Sequence, residues 1–325
     1  MSISGPASDG STSKVAELDD PKPEAGQVAI DVAYAGINFI DVMARRGDPG
    51  YASGWPYVPG LEVAGTVRAL GEGVRDLHLG QRVAAFTSGG GLAQVAVAAA
   101  DVTVGVPGGV PLEIAAAAPL ALSTAVLLLT EKARIRPGET VLMHSASGGI
   151  GSVVAQVAAA LGSGVRIGTV GRPEKVAVAR ATGWDEVFSR DTDLPDAVSK
   201  IAPDGVDVIL DPTGTALLDL DLMIAAPGAR IILFGNPRGG TPEPLPPLGR
   251  LIGGNVGLLG FSMSRLNATV PALVARALST GLDMIADGTV RPEVTVVESL
   301  ESVAAVHDLL AAGVGNGKYV VKLTR

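Results

Sequence analysis

TVLMHSASGGIGSVVAQVAAALGSGVRIGTVGR, from Thr140 to Arg172, decides how the rest of the chain is read. An apolar run (Val141 to Met143) feeds a turn of small residues, Ser145-Ala146-Ser147-Gly148-Gly149-Ile150-Gly151, and a helical period follows through Val154, Val157 and Leu161. After Gly162 a second apolar run, Val165 to Val170, completes a βαβ unit of the length of a dinucleotide-binding half-fold. Glycines let the backbone approach a diphosphate, and the helix that follows aims its N–H groups and positive dipole end at the same anion. Ser147, Gly148, Gly149, Ile150 and Gly151 are therefore the candidate diphosphate-binding residues. The bare pattern G-G-x-G falls short of G-x-G-x-x-G, and its weight comes from the strand before it and the helix after it. The plain alternative is a structural glycine turn. A nucleophile elbow around Ser147 is weakened by Ser145, which stands where G-x-S-x-G requires glycine. Gly317-Lys318 is followed by Tyr319 and opens no long helix, which argues against a P-loop.

The 325 residues suffice for two ordinary domains with sizeable cores. With 47% apolar and 18% charged residues, the composition suits an alanine-rich globular enzyme and not a disordered chain. The net charge of -8 and the absence of any Lys/Arg run give no nucleic-acid footprint. Without cysteine there is neither a disulfide scaffold nor a thiolate metal site, and His78, His144 and His307 lie far apart in sequence, so no metal is expected. His144, ending an apolar strand, reads as a hydrogen-bonded core residue. The opening MSISGPASDGSTSK reads as a flexible polar arm without a signal-peptide core. Ile114 to Thr130 is too short, and too interrupted by Pro119, to span a membrane. A cytoplasmic protein is expected.

From Lys14 to Pro107 short β-like pieces broken by Gly and Pro (Val28 to Tyr34, Glu62 to Leu70, Arg82 to Phe86, Leu92 to Val97, Val102 to Val106) suggest a small antiparallel barrel. Gly36 to Pro59 reads as one long irregular stretch between them, of the kind that carries function on a rigid scaffold. An alanine-rich helical passage, Pro111 to about Ala133, leads to the strand at Val141. Beyond the opening βαβ unit, strands near Glu186 to Phe188, Val206 to Asp211, Ala229 to Phe234 and Val256 to Phe261 alternate with helices. Six strands so spaced imply a doubly wound parallel sheet. Asn236 to Pro247 reads as a Pro/Gly-rich loop, a cover for one edge of the cofactor site or a surface linker. A helix from about Leu266 to Ala286, a strand around Val294 to Val297, a helix Ser302 to Ala312 and a strand Tyr319 to Leu323 finish the chain.

Gly36-Ile37-Asn38-Phe39-Ile40-Asp41, then Pro59-Gly60-Leu61-Glu62-Val63-Ala64-Gly65, then His144 to Gly151, and finally Gly317-Lys318 fall in the order found in zinc-independent medium-chain dehydrogenases/reductases. The chain most resembles their quinone oxidoreductase (zeta-crystallin-like) branch, related to enoyl reductases, over nearly its whole length. The resemblance implies an α/β fold in which a Rossmann doubly wound parallel sheet is inserted in a GroES-like β-barrel domain: residues 1–118 and 263–325 catalytic, 119–262 for NADPH, with the active site in the cleft between them. It also implies a homodimer paired through the edge strand near Val256 to Phe261. Zinc-dependent relatives carry Gly-His-Glu where this chain has Gly60-Leu61-Glu62. One departure is the polar arm, which stands where family members open with an apolar strand.

Charge argues for the cofactor. A site for NAD places an acid at the end of the second strand for the ribose hydroxyls, whereas this strand ends Thr169-Val170-Gly171-Arg172 with Lys175 one turn on, which favours the 2'-phosphate of NADPH. In similar reductases a Gly, a Lys and a Tyr hold that phosphate; Gly171 and Lys175 match, and the Tyr position falls near Arg190. Thr213, Phe234 and Gly235 sit at strand C-terminal ends, where open α/β sheets bind ligands, and Lys318 is grouped with the cofactor residues. The resemblance gives Asn38 as the polar group beside nicotinamide and acceptor, an amide that donates without titrating. Tyr51 is the candidate proton source, with Tyr57 as competitor; Asp41 holds the loop or binds substrate. The expected acceptor is a quinone or an enone or enoyl compound, and the alternative is an NADPH-binding protein without turnover.

Overall fold

Two short strands open the chain, β1 (Ser2–Ile3) and β2 (Ser13–Lys14), antiparallel to one another. The computed structural model describes residues 1–323. The arm read as flexible is docked. Ile3 is fully buried and bridges Tyr57, Met1 joins a core cluster, and Ala7 donates its N–H to the Arg45 carbonyl at 2.8 Å. Polarity of the whole segment hid two apolar anchors, Met1 and Ile3, which a short extended stretch can turn inward together because alternate side chains share a face.

β3 (Gln27–Ile37) leads into α1 (Phe39–Arg46), then β4 (Glu62–Leu70), β5 (Arg82–Phe86), β6 (Val95–Ala99) and β7 (Thr103–Gly105). α1 corrects the reading of Gly36 to Pro59 as wholly irregular. Its Val42, Met43 and Ala44 are buried, Asp41 lies in its first turn and Arg45 and Arg46 in its last, matching the helix dipole. Gly47 stops it in the left-handed conformation at φ 78°. Eight residues framed by turn formers show too little periodicity to be recognised. The alanine-rich passage becomes α2 (Leu112–Ala115), a π-helical turn at Ala118–Leu122, α3 (Ser123–Leu127) and a second π turn at Leu128–Lys132. Pro119, which has no N–H to continue an α-helical ladder, sits in the first widened turn.

The middle of the chain alternates β8 (Val141–His144), α4 (Gly151–Ala160), β9 (Arg166–Val170), α5 (Val176–Ala181), β10 (Glu186–Ser189), α6 (Leu194–Ile201), β11 (Val206–Asp211), α7 (Leu218–Ile224), β12 (Ala225–Leu233), α8 (Leu248–Gly254) and β13 (Gly257–Gly260). All six strands are parallel, in the order β10-β9-β8-β11-β12-β13. Strand order reverses between β8 and β11, so ligands are expected beyond the ends of these two strands, at His144 and Asp211. Leu142, Ile167, Ile209 and Ile231, one from each of four neighbouring strands, share a core with Leu194, Val198 and Leu218.

The chain returns through α9 (Met263–Thr269), α10 (Pro271–Ala286), β14 (Val294–Val297), α11 (Val303–Ala311) and β15 (Lys318–Lys322). The expected helix from Leu266 to Ala286 is thus broken before Pro271, because the residue preceding a proline is pushed out of helical conformation. β15 pairs with β14 and with β3, closing a seven-stranded sheet in which β3 also pairs β4 and β6. Two compact units result: Met1–Thr124 with the segment from Ser264 onward, and Ala125–Met263. The fold is a GroES-like domain carrying an inserted Rossmann-type parallel sheet. Among the described residues no helix is long and apolar enough to cross a membrane.

In α10, a Cβ on Gly281 would lie 2.8 Å from Cγ of the fully buried Leu122, so this glycine exists to let the helix approach the π turn. Helix propensity favours Gly281→Ala by about 1 kcal/mol, whereas overpacking costs about 1–3 kcal/mol. Overpacking wins, and chemical denaturation should show a less stable G281A. Adding Leu122→Ala should return part of the loss; strictly additive losses would refute the packing account.

Candidate functional site

Unit 2 presents a cradle at the carboxyl ends of its strands. After β8 the backbone turns through Ser145 at φ 62°, Ala146 donates to the Thr169 carbonyl at 2.9 Å, and Ser152 donates to the Gly148 carbonyl at 2.8 Å. A Cβ on Gly151 would lie 2.6 Å from the carbonyl oxygens of both Ser145 and Ala146, so only glycine allows the helix to begin so near the turn. No side chain caps α4. The Gly148 N–H closes the turn on the Ser145 carbonyl at 3.0 Å, and the positive end of the dipole faces forward from half-buried Gly149 and Ile150, an arrangement that suits a diphosphate. Ser147 is buried beside them.

The end of β9 completes the cradle. One pocket is lined by Ser145, Thr169, Val170, Gly171, Ser189, Arg190 and Thr213, with His144 at its base. A Cβ on Gly171 would meet nothing nearer than the Arg190 guanidinium at 3.8 Å, so the space is shared by an exposed glycine and a cation. Lys175 is buried, and burial, then the neighbouring Arg172, holds its ammonium below its ordinary value. No carboxylate ends the strand; Glu174, in the turn that follows, is exposed and 3.9 Å from Arg172. Arg172, Lys175 and Arg190 thus give a phosphate-suited corner. At the neighbouring strand ends, Thr213 donates its N–H to Asp211 Oδ1 at 2.6 Å and Phe234 donates to the Asp211 carbonyl at 3.0 Å. Gly235 follows, where a Cβ would lie 2.3 Å from the Pro212 carbonyl oxygen.

His144, read from sequence as a hydrogen-bonded core residue, is buried and bonded through both ring nitrogens, and sequence reasoning missed the acids that gather around it beneath this pocket. His144 bonds Thr169 Oγ1 through Nδ1 at 2.7 Å and Asp221 Oδ1 through Nε2 at 2.8 Å, with Asp211 alongside. Although the three residues offer ligand atoms within 4.8 Å of one another, both ring nitrogens are already committed, and the trio is an ion-pair network. Burial opposes the imidazolium most strongly, but the Asp221 hydrogen bond and the charges of Asp221 and Asp211 outweigh it and hold His144 above its ordinary value. Asp211 is pushed up to about 6 by burial and then by the charge of Asp221. In α7 the sequence Leu-Asp-Leu-Asp gives no sign that Asp221 faces inward.

The polar cluster of unit 1 gathers around Asn38, which follows β3 and precedes α1. Its backbone N–H goes to Asp41 Oδ2 at 2.9 Å, and Asp41 Oδ1 accepts the Gly60 N–H at 3.0 Å. Asp41 is buried, and burial pushes its carboxyl up to about 6 against the pull of these two bonds. The Asn38 side chain donates through Nδ2 to Glu62 Oε1 at 2.7 Å and accepts from the Lys318 ammonium. Lys318, grouped from sequence with the cofactor residues, is 3% exposed and here packs against Asn38, bonding the Ile37 carbonyl at 3.1 Å and pairing with Glu62. Tyr51 lies half-buried in a turn, its N–H on the Asp48 carbonyl at 3.3 Å. Tyr57 is buried, edge-on to Trp55, and its hydroxyl is pushed up to about 12 by burial and by the Asp41 charge. Glu62 was the residue to notice: an acid within the apolar run Leu61 to Ala64 is rarely buried without a partner.

Asp211 supplies a pH test. Its folded value exceeds its ordinary 3.8, so the native state binds more protons than the unfolded one and stability is lost as pH rises from 3.8 through about 6. Asp211→Asn keeps an acceptor for Thr213 and removes the charge. Thermal scans should show D211N melting above the wild type at pH 7–8 with the gap closing below about pH 4; a gap that widens toward acid would contradict the assignment.

Comparison with known proteins follows the same division. A zinc-binding dehydrogenase model matches residues 149–279, and an alcohol dehydrogenase GroES-like domain model matches residues 24–109. A quinone oxidoreductase of Sus scrofa is 33% identical over 307 residues, covering 93% of this chain and 91% of its own. Among solved structures, a quinone oxidoreductase of Pseudomonas syringae superposes with a TM-score of 0.89 at 28% identity, over 99% of this chain and 98% of its own. The Escherichia coli quinone oxidoreductase complexed with NADPH gives 0.88 at 26% identity, over 99% of each chain. By fold and by relatives, the chain belongs to the medium-chain dehydrogenase/reductase family, in its quinone oxidoreductase, zeta-crystallin-like branch.

Proposed function

We propose that the chain is an NADPH-dependent oxidoreductase that transfers hydride to a quinone or to the C=C bond of an α,β-unsaturated carbonyl compound. The observation that carries this reading is the uncapped start of α4 behind Gly151, next to a strand end furnished with Arg172, Lys175 and Arg190 in place of an acid. The named activity of the Sus scrofa relative and the NADPH of the Escherichia coli structure support it.

When bound, the reduced nicotinamide supplies the hydride. The residues of this chain do the rest. The α4 amides hold the diphosphate, and the cations after β9 hold the 2'-phosphate. Hydride arriving at a quinone or enone leaves negative charge on the acceptor oxygen, which a positioned N–H or O–H stabilises. Asn38 is the donor in this reading. Tyr51 stays the proposed proton source and Tyr57 its competitor; the Tyr57 hydroxyl, pushed up to about 12, keeps its proton and releases it less readily. Asp41 holds the loop through the N–H groups of Asn38 and Gly60. A homodimer through the outer strand β13 also belongs to the proposal, supported by Leu245, Leu248 and Ile252, each 65–68% exposed around the neighbouring α8.

An NADPH-binding protein without turnover is the second reading, favoured by the fact that the Asn38 amide is already bonded at both ends within the protein. Titration by Trp fluorescence should show NADPH binding about 10–100-fold tighter than NADH, the worth of one to two charge-assisted hydrogen bonds. Arg190→Gln should remove most of that preference and leave NADH affinity within about twofold. Equal affinities in the wild type would end the NADPH assignment, and saturable binding with no oxidation across 1,4-quinones, 2-alkenals and enoyl thioesters would favour the second reading.

A further inference from the structure

We infer that Glu62 and Lys318 form a buried charged clamp that fixes which way the Asn38 amide points. The inference rests on the reading above for its role in catalysis, but the clamp itself stands on geometry. A carboxamide has two nearly identical faces, and without partners its oxygen and nitrogen exchange places by a half-turn of the terminal torsion. Here the partners are asymmetric. Lysine only donates and an ionised glutamate only accepts, so the ammonium meets Asn38 Oδ1 and the carboxylate Oε1 meets Nδ2 at 2.7 Å. A flipped amide would set its NH2 against an ammonium and its oxygen against a carboxylate, both buried, where unpaired polar groups are most costly.

The rest of the cluster holds the clamp. Lys318 also donates to the Ile37 carbonyl at 3.1 Å and pairs with Glu62, which neutralises both charges. Glu62 Oε2 accepts the Leu120 N–H at 2.7 Å, an amide within the first π-helical turn. Gly36 makes the room: a Cβ there would lie 2.2 Å from Glu62 Oε1. With Oδ1 and one N–H of Asn38 engaged, its second N–H is the donor left for a ligand. Glu62 and Lys318 are therefore positioning residues, and the hydrogen-bond polarity of Asn38 is decided by charges it never exchanges with substrate.

The test uses the full chain with Asn38→Ala, the neutral pair Glu62→Gln/Lys318→Met, and the triple variant. The pair variant removes both charges of the clamp together and leaves Asp41 its two backbone N–H partners; retained folding is checked by NADPH affinity in unit 2, which should stay within about twofold of wild type. N38A should lower kcat by about 10²-fold with KM for the acceptor little changed. The pair variant should lower kcat about 10-fold or more, and adding N38A to it should cost less than about threefold further, because the two act as one unit. Losses that multiply instead would show Glu62 and Lys318 to be structural and overturn the clamp. Full activity in N38A would sink the role of Asn38 in the proposed function.

A readout free of turnover decides the clamp by itself. In protein labelled with 15N-asparagine, the Asn38 side-chain NH2 signals, assigned by their loss in N38A, should be protected from solvent exchange in the wild type and lose about 10-fold or more of that protection in the pair variant. Equal exchange in the two overturns the clamp whether or not any acceptor is reduced.

Discussion

The antiparallel pairing of β15 with β3, which sets Tyr319 against Ile37, is the contact on which unit 1 depends. It brings Lys318 to Asn38 from 280 residues away. Closing so long a loop is less costly than its length suggests, since each doubling adds only about 0.6 kcal/mol. Register carries the greater consequence: a slip of one residue would turn Val320 and Val321 about-face and remove Lys318 from the cluster around Asn38. The insertion of a whole second unit between β3 and β15 is tolerated because sheet pairing, and not chain proximity, holds the ends together.

Each unit solves a charge problem in its own way. In unit 2 the corner suited to an anion is made from backbone, the uncapped start of α4, with cations added at the end of β9. The buried acids beneath it, Asp211 and Asp221, are partly balanced by His144, while burial and then the Asp221 charge push Asp211 up to about 6. In unit 1 the acids are used for position. Asp41 spends both oxygens on backbone N–H groups, and Glu62 spends both on Asn38, Lys318 and Leu120. Charges fixed so completely are orienting elements, and what they orient is a neutral amide whose donor capacity does not change with pH.

The irregular helix geometry of the Ala118–Leu122 passage belongs to the same design. A π turn releases a backbone amide from the regular ladder, and the Leu120 N–H goes to Glu62. Gly281 lets α10 press against Leu122 of that turn. A tight packing contact on one side of the turn and a hydrogen bond to a buried carboxylate on the other thereby share one short segment.

Much of this was already written in the sequence. The βαβ pattern around Gly148 to Gly151, the six-strand alternation and the absence of an acid after Val170 are local: periodicity, turn chemistry and the residue at a strand end need only their neighbours to be interpreted. The short α1, the docked arm and the π turns escaped because each is shorter than the window in which a period can be recognised, or is decided by what packs against it; the break before Pro271 was legible in that proline itself. The inward face of Asp221 and the meeting of Glu62, Lys318 and Asn38 could come only from the tertiary structure. Hydrogen-bond partners drawn from separate elements 24, 77 and 280 residues apart leave no common spacing to find, since register and burial, the quantities that join them, are properties of the folded sheet and not of any one segment.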